Sequence, residues 1–242
     1  MNFAILGAGG IGYHLAEDLA RLICYPPAVV KDRFKDPVLW IIDGDEVEDH
    51  NLGRQHGAAS VGRNKAEVLA DFIRGVFPQL QVRTVPLYLS DKLLSEHREW
   101  LKEGITIFGC VDNNTTRCFV EDRLDRFDDF TWVDGGNDED SGQAMAWRRT
   151  EGVDRCPAIT RRNPEMRQES TGDTFPDQVD CSQEWVTQPQ LALANRAVST
   201  AMLQLWFSHM LTKPNDMMTY NAIPVSIDGR SEPQVQRDLQ LI

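Results

Sequence analysis

Four glycines, Gly7, Gly9, Gly10 and Gly12, stand together near the start of the chain in the stretch GAGGIG. Gly7, Gly9 and Gly12 fit the spacing G-x-G-x-x-G, which turns a strand directly into a helix and lets a phosphate rest on bare backbone N–H groups. The turn suits the pyrophosphate of a dinucleotide and the triphosphate of ATP equally. Asp43, which ends the apolar run VLWIID, is placed to accept hydrogen bonds from a ribose in either ligand. The residues after it separate the two. DGDEVEDHNLGRQHGAASVGRNK supplies Asp45, Asn51, Arg54, Gln55 and Lys65. A dinucleotide needs little beyond the glycine turn and a helix dipole. A triphosphate brings about four negative charges, and its transfer chemistry asks for Arg and Lys clamps. The run CVDNNTTR then puts Asp112 and Asn113 just after another apolar stretch, where a carboxylate can hold a magnesium ion between phosphates. The set favours ATP.

These groups meet only if the chain places several strand ends side by side. Strand and helix signals alternate over the first part of the chain, the pattern of a mostly parallel sheet. FAIL (3–6), VLWIID (38–43), LQVRTVPLYL (80–89), GITIFGC (104–110) and FTWVDGG (130–136) read as strands, the third as an edge because it carries Pro86. Helices are predicted near 10–23, over 62–77 and from about Thr115. Residues 24–37 delay the second strand. Residues 151–188, polar and without period, with Pro157, Pro164 and Pro176, read as a long crossover-type loop, a kind that is usually functional or disordered. Pro189 opens the apolar helix QLALANRAVSTAMLQLWFSHML, and MTYNAIPVSIDGR closes with strand and turn. The expected fold is α/β and Rossmann-like. It has a mostly parallel central sheet, antiparallel strands at the C-terminal side, helices on both faces, and one domain over residues 1–242.

The chain has 242 residues and a formal net charge of −12, which argues against nucleic acid or an anionic membrane as partner. No stretch approaches the roughly 20 apolar residues of a membrane span. Its five cysteines include no C-x-x-C pair, so neither a disulfide framework nor a cysteine-rich zinc site is expected. The expectation is a soluble cytoplasmic protein.

Taken in order, GAGGIG, DGDEVEDHNLGRQ, VGRNKAE and CVDNNTTR resemble the ThiF/MoeB/ubiquitin-activating-enzyme superfamily. Gly142 and Gln143 in VDGGNDEDSGQAMAW resemble the family's Gly-Gln after the fifth strand, so the resemblance spans about residues 3–149. It implies a fold that binds ATP and magnesium together with a ubiquitin-like or sulfur-carrier protein ending in a flexible Gly tail. Such an enzyme joins the tail carboxylate to AMP and releases pyrophosphate. The resemblance gives Gly7, Gly9, Gly10 and Gly12 the phosphates and Asp43 the ribose, with Asp45 beside it. Asn51, Arg54 and Lys65 would contact phosphates, with Gln55 following the arginine. Asp112 would bind magnesium, with Asn113 and Arg117 next to it. It also implies a homodimer through the Asn-Leu-x-Arg-Gln face and a possible downstream conjugating enzyme. Two features depart from the pattern. The helices that usually precede the first strand, with an arginine reaching a partner protomer, are absent from this sequence, and so are the C-x-x-C zinc pairs of the MoeB branch. The late segment DCSQEWVTQPQLALANRAVSTAMLQLWF resembles ThiF-family proteins of bacterial mobile-element and defence operons. Related enzymes place a cysteine that takes over the acyl group at the end of the long loop; Cys181 has that place, with Cys156 as the substitute.

Plainer readings stand beside these. The glycines could serve helix–strand packing alone. Asp43 and Asp45 could be solvated turn acids, Arg54 and Lys65 surface charges, and Asp112 a helix cap. Cys24, Cys110 and Cys118 read as core thiols, and the scattered histidines, His209 among them, lack ligand spacing. Two other functions fit the sequence: a non-catalytic partner half of such an enzyme, and an NAD-dependent oxidoreductase.

Overall fold

The first apolar run forms β1 (Asn2–Leu6), in which Phe3, Ala4, Ile5 and Leu6 are all buried. Side chains alternate across a strand, so Phe3 and Ile5 enter one core while Ala4 and Leu6 enter another. A strand buried on both sides needs helices on both faces of its sheet. The protein is described here by a computed structural model, over residues 1–52, 60–137, 141–169, 192–211 and 222–226. After β1 come α1 (Gly10–Cys24), β2 (Val38–Ile42), α2 (Lys65–Val76), β3 (Gln81–Val85), α3 (Asp91–Glu96), β4 (Ile105–Gly109) and α4 (Asn114–Leu124). Then follow β5 (Phe130–Asn137), β6 (Ser141–Thr150), β7 (Val153–Cys156), α5 (Ile159–Arg162), α6 (Glu165–Glu169), α7 (Ala192–Leu211) and β8 (Ala222–Ser226). The sheet runs β3-β2-β1-β4-β5-β6-β7, with β8 also on β6. The strands from β3 to β5 are parallel; β6, β7 and β8 add antiparallel pairs. Helices α1, α2 and α7 cover the Phe3 face. Helices α3 to α6 supply Leu93, Val120, Leu124, Ile159 and Met166 to the other. No described helix is long and apolar enough to cross a membrane.

The strands expected over the first part of the chain are present, and β3 is an edge, as Pro86 indicates. The late apolar helix is core: Trp206 of α7 meets Phe3 and Phe108 edge to face. The reading of 151–188 as one loop is corrected over its first part, where β7, α5 and α6 lie. Glu151 and Gly152 both have positive φ, 53° and 73°, and join Thr150 to its partner Val153. Positive φ at both central residues makes the two-residue turn of a tight hairpin. The start of α5 is held by Glu121, buried on α4, whose carboxylate accepts the N–H groups of Ile159 (2.8 Å) and Thr160 (3.1 Å).

Candidate functional site

Strand order reverses between β1 and β4, and ligands of parallel sheets sit at the carboxyl ends of the strands beside such a reversal. The glycine turn leaves β1 at that place. Gly7 has φ of 92°, which a side chain disfavours, and an added Cβ would lie 2.6 Å from the Cys110 carbonyl oxygen. Both neighbours pin the turn: the Gly7 N–H donates to Ile42 (2.9 Å) and the Cys110 N–H to Leu6 (2.8 Å). A Cβ on Gly12 would overlap the Gly7 carbonyl, and one on Gly10 would overlap the carboxamide of Asn195 on α7. Packing therefore accounts for three of the glycines. It does not account for Gly9, beside which there is open space. Gly9 starts α1 without a side-chain cap, and the first turn carries no acid. The unpaired N–H groups and positive dipole of a helix start thus face room for an anion.

Asp43 follows β2 and is half-buried against this turn. One carboxylate oxygen accepts the Ala8 N–H (2.6 Å) and the other the Asp45 N–H (2.8 Å). Burial, with Asp45 nearby, pushes its carboxyl up to about 6, against the pull of Lys65 and the two N–H groups. Asn64 ties the loop down: its side-chain N–H donates to the carbonyls of Asp43 (2.9 Å) and Asp45 (3.1 Å), while its oxygen caps α2 by accepting from Ala66 and Glu67. Lys65, the first residue of α2, pairs with Asp45 at 2.9 Å. The Tyr88 hydroxyl donates to the other Asp45 oxygen, and the Tyr88 ring lies where a Cβ on Gly44 would be. Burial raises the Asp45 carboxyl, but Lys65 and Tyr88 outweigh it and hold the group below its usual value. Asn51 is buried, and its Oδ1 accepts the Glu48 N–H (3.0 Å) in a capping box.

Asp112 and Asn113 follow β4 on the same side of the sheet. The helix cap there is Asn113, which accepts the Thr116 N–H (2.8 Å). Asp112 is exposed and receives a 3.3 Å contact from the Asn113 side chain. Arg117 braces the loop that carries it. Its guanidinium donates to Asp134 (2.9 Å), Asn114 (3.1 Å) and the Val111 carbonyl (2.6 Å), bracing the loop after β4 against β5. These bonds give Arg117 a structural role in the loop that carries Asp112. Among the described residues no group of three or more His, Cys, Asp and Glu could hold a metal.

Arg54, Gln55 and Cys181 lie outside the described residues. Cys156 is buried and its thiol donates to the Ala146 carbonyl (3.2 Å). Burial pushes that thiol up to about 12, against the pull of Arg162 and Arg148. A buried thiol held this way is poorly set up as a substitute nucleophile, because the thiolate is the attacking form. Burial also raises the thiols of Cys24 and Cys110. Sequence reasoning missed Tyr88, Asn64, Asp134 and Asn195. Asn64 carried a signal, standing just before the helical period that begins at Lys65, where an N-cap belongs.

Known proteins carry the same plan. The ThiF family profile matches residues 1–236. The probable adenylyltransferase/sulfurtransferase MoeZ of Mycobacterium tuberculosis is 33% identical over 120 residues, 49% of this chain and 27% of that protein. The SAMP-activating enzyme E1 of Haloferax volcanii is 34% identical over 142 residues, 58% of this chain and 47% of that protein. The chain thus spans less than half the length of these curated relatives. The crystal structure of E. coli MccB with ATP has the same fold, with a TM-score of 0.64 and 17% identity over 98% of this chain and 63% of that one. By the match over nearly its whole length, the chain belongs to the ThiF family.

Proposed function

We propose that the chain uses ATP and magnesium to adenylate the C-terminal glycine carboxylate of a ubiquitin-like or sulfur-carrier protein. The observation that carries this reading is the uncapped start of α1, opening beside Gly9 between Asp43 and Asp112. The names of MoeZ and the SAMP-activating enzyme, and the ATP in the MccB crystal, support it. The N–H groups of α1 and the Lys65 ammonium receive the phosphates, and Lys65 leaves Asp45 to do so. Each Asp43 oxygen accepts one backbone N–H and keeps a lone-pair site for a ribose hydroxyl. A single exposed carboxylate at Asp112 fits magnesium, which takes one or two carboxylates with phosphates and water. Bound there, the ion neutralises phosphate charge. A tail carboxylate oxygen attacks the α-phosphorus, the bond to the β-phosphate oxygen breaks, and pyrophosphate leaves. Arg54 and Gln55 complete the phosphate set, and residues 1–242 act as one domain. The Cys181 thiolate then attacks the acyl carbon, forming a thioester and releasing AMP.

ATP–pyrophosphate exchange with candidate Gly-tailed proteins tests the reading. Asp112→Ala abolishes exchange with the fold intact, and Lys65→Ala slows it by about a hundredfold, the scale of one lost charge-stabilising donor. Full activity in Asp112→Ala removes the metal role. On a non-reducing gel the same mixture gives a thiol-sensitive adduct that Cys181→Ala loses while keeping exchange. A purified chain that binds no ATP points instead to a non-catalytic partner half.

A further inference from the structure

The end of the sheet opposite the glycine turn holds a cavity of about 230 Å³. It lies where β1, β4 and β5 begin, about 20 Å from the turn at 3.3 Å per strand residue. Phe130, Trp206 and Met210 give it an apolar wall, and Arg33 and Arg148 also line it. Arg148 donates one Nη1 bond, to the His209 carbonyl at 2.9 Å. Its Nε and Nη2 groups, and the whole Arg33 guanidinium, meet no acceptor among the described residues. A third arginine on the wall, Arg149, is already engaged by Asp125 and Asp154. The carboxylate on the wall is that of Asp129, and one of its oxygens accepts the Glu151 N–H (3.1 Å). Burial, then repulsion from Arg33 and Arg155, holds the Arg148 guanidinium below the usual arginine value, against the pull of Cys156 and Asp129.

A half-buried guanidinium at Arg148 and an exposed one at Arg33, both with donors to spare, make a fork for a planar oxyanion. We propose that this cavity is a second ligand site, for a small organic oxyanion (a carboxylate or a phosphate monoester) carried on a one-ring apolar body. Arg33 and Arg148 clamp the oxyanion, and Phe130, Trp206 and Met210 take the body. The volume lies below the roughly 300–1,000 Å³ of pockets for drug-sized ligands, which suits a small ligand. The inference is independent of the adenylation reading.

Titration calorimetry with phenyl phosphate and with phenylacetate tests it on the full chain. At least one probe is expected to bind saturably with a Kd near or below about 1 mM. Arg33→Glu alters an exposed side chain without hydrogen bonds, keeps the wild-type melting temperature and pyrophosphate exchange, and weakens the probe by about tenfold or more. Lys65→Ala, at the other end of the sheet, leaves probe affinity within about twofold. Absence of saturable binding for both probes overturns the site. So does binding that survives Arg33→Glu or disappears with Lys65→Ala.

Discussion

Asp43 holds the glycine turn and the Asp45 loop with one carboxylate, and its burial gives that arrangement a pH dependence. Its carboxyl lies at about 6 in the folded chain, above the usual value. The folded state therefore binds this proton more tightly than the unfolded one. The resulting stabilisation is complete below about pH 4 and is lost as pH rises through about 6, on the order of 3 kcal/mol at 1.4 kcal/mol per pKa unit. Asp43→Asn removes the titration, so its stability deficit relative to wild type is largest near pH 4 and smallest near pH 7. Urea midpoints at the two pH values check this; equal deficits at both would rule it out. At this scale the sequence made the polar residues after β1, β2 and β4 legible as a set, because they stand at strand ends. It did not disclose that Lys65 is paired with Asp45, or that Arg117 turns to Asp134. Those pairs join residues 20 and 17 positions apart, and the fold creates them.

Between elements, the tightest constraint near the site is α1 against α7. Gly10 leaves no room for a methyl group because the Asn195 carboxamide fills that place, and the buried Asn195 Nδ2 has no partner among the described residues. Gly10→Ala is expected to destabilise the protein by about 1–3 kcal/mol through overpacking. Asn195→Ala alone is expected to cost less, since its buried N–H has no bond to lose among the described residues, and in combination it recovers most of the Gly10→Ala loss. Thermal denaturation of the four proteins in the cycle gives the coupling, expected above about 0.5 kcal/mol; strict additivity would contradict the contact. The β6–β7 hairpin was missed, because 151–188 read as one polar loop and Glu151-Gly152 is not among the usual hairpin-turn pairs. The start of α5 was missed too, because its cap is Glu121, 38 residues away from Ile159. Helix α3 was missed because its six residues are too few to show a period.

For the whole molecule, we propose a homodimer formed through the face that carries the Asn-Leu-x-Arg-Gln block. Val61, six residues after that block in the sequence, and Leu193 and Leu211 at the ends of α7, are exposed apolar groups suited to an interface. Sedimentation at tens of micromolar should give the mass of two chains, with more than about 1,000 Å² buried in total; a monomer there would count strongly against it. The sheet class and both helical faces were legible from alternating strand and helix signals. The placing of β8 beside β6, across the late helix, was not, because strand pairing over such a separation leaves no local mark. The strand order also has a consequence in time. β1 is made first but takes its second neighbour, β4, only about 100 residues later, about 5–20 s at ordinary rates of synthesis. Until then one edge of this deeply buried strand stays open, the kind of edge that recruits wrong partners. The Cys110 contacts that fix the glycine turn are missing for the same interval. A nascent chain therefore cannot hold the glycine turn in final form before β4 has left the ribosome, and a stall between β2 and β4 would leave a species prone to aggregate, which the proposed nucleotide would not rescue.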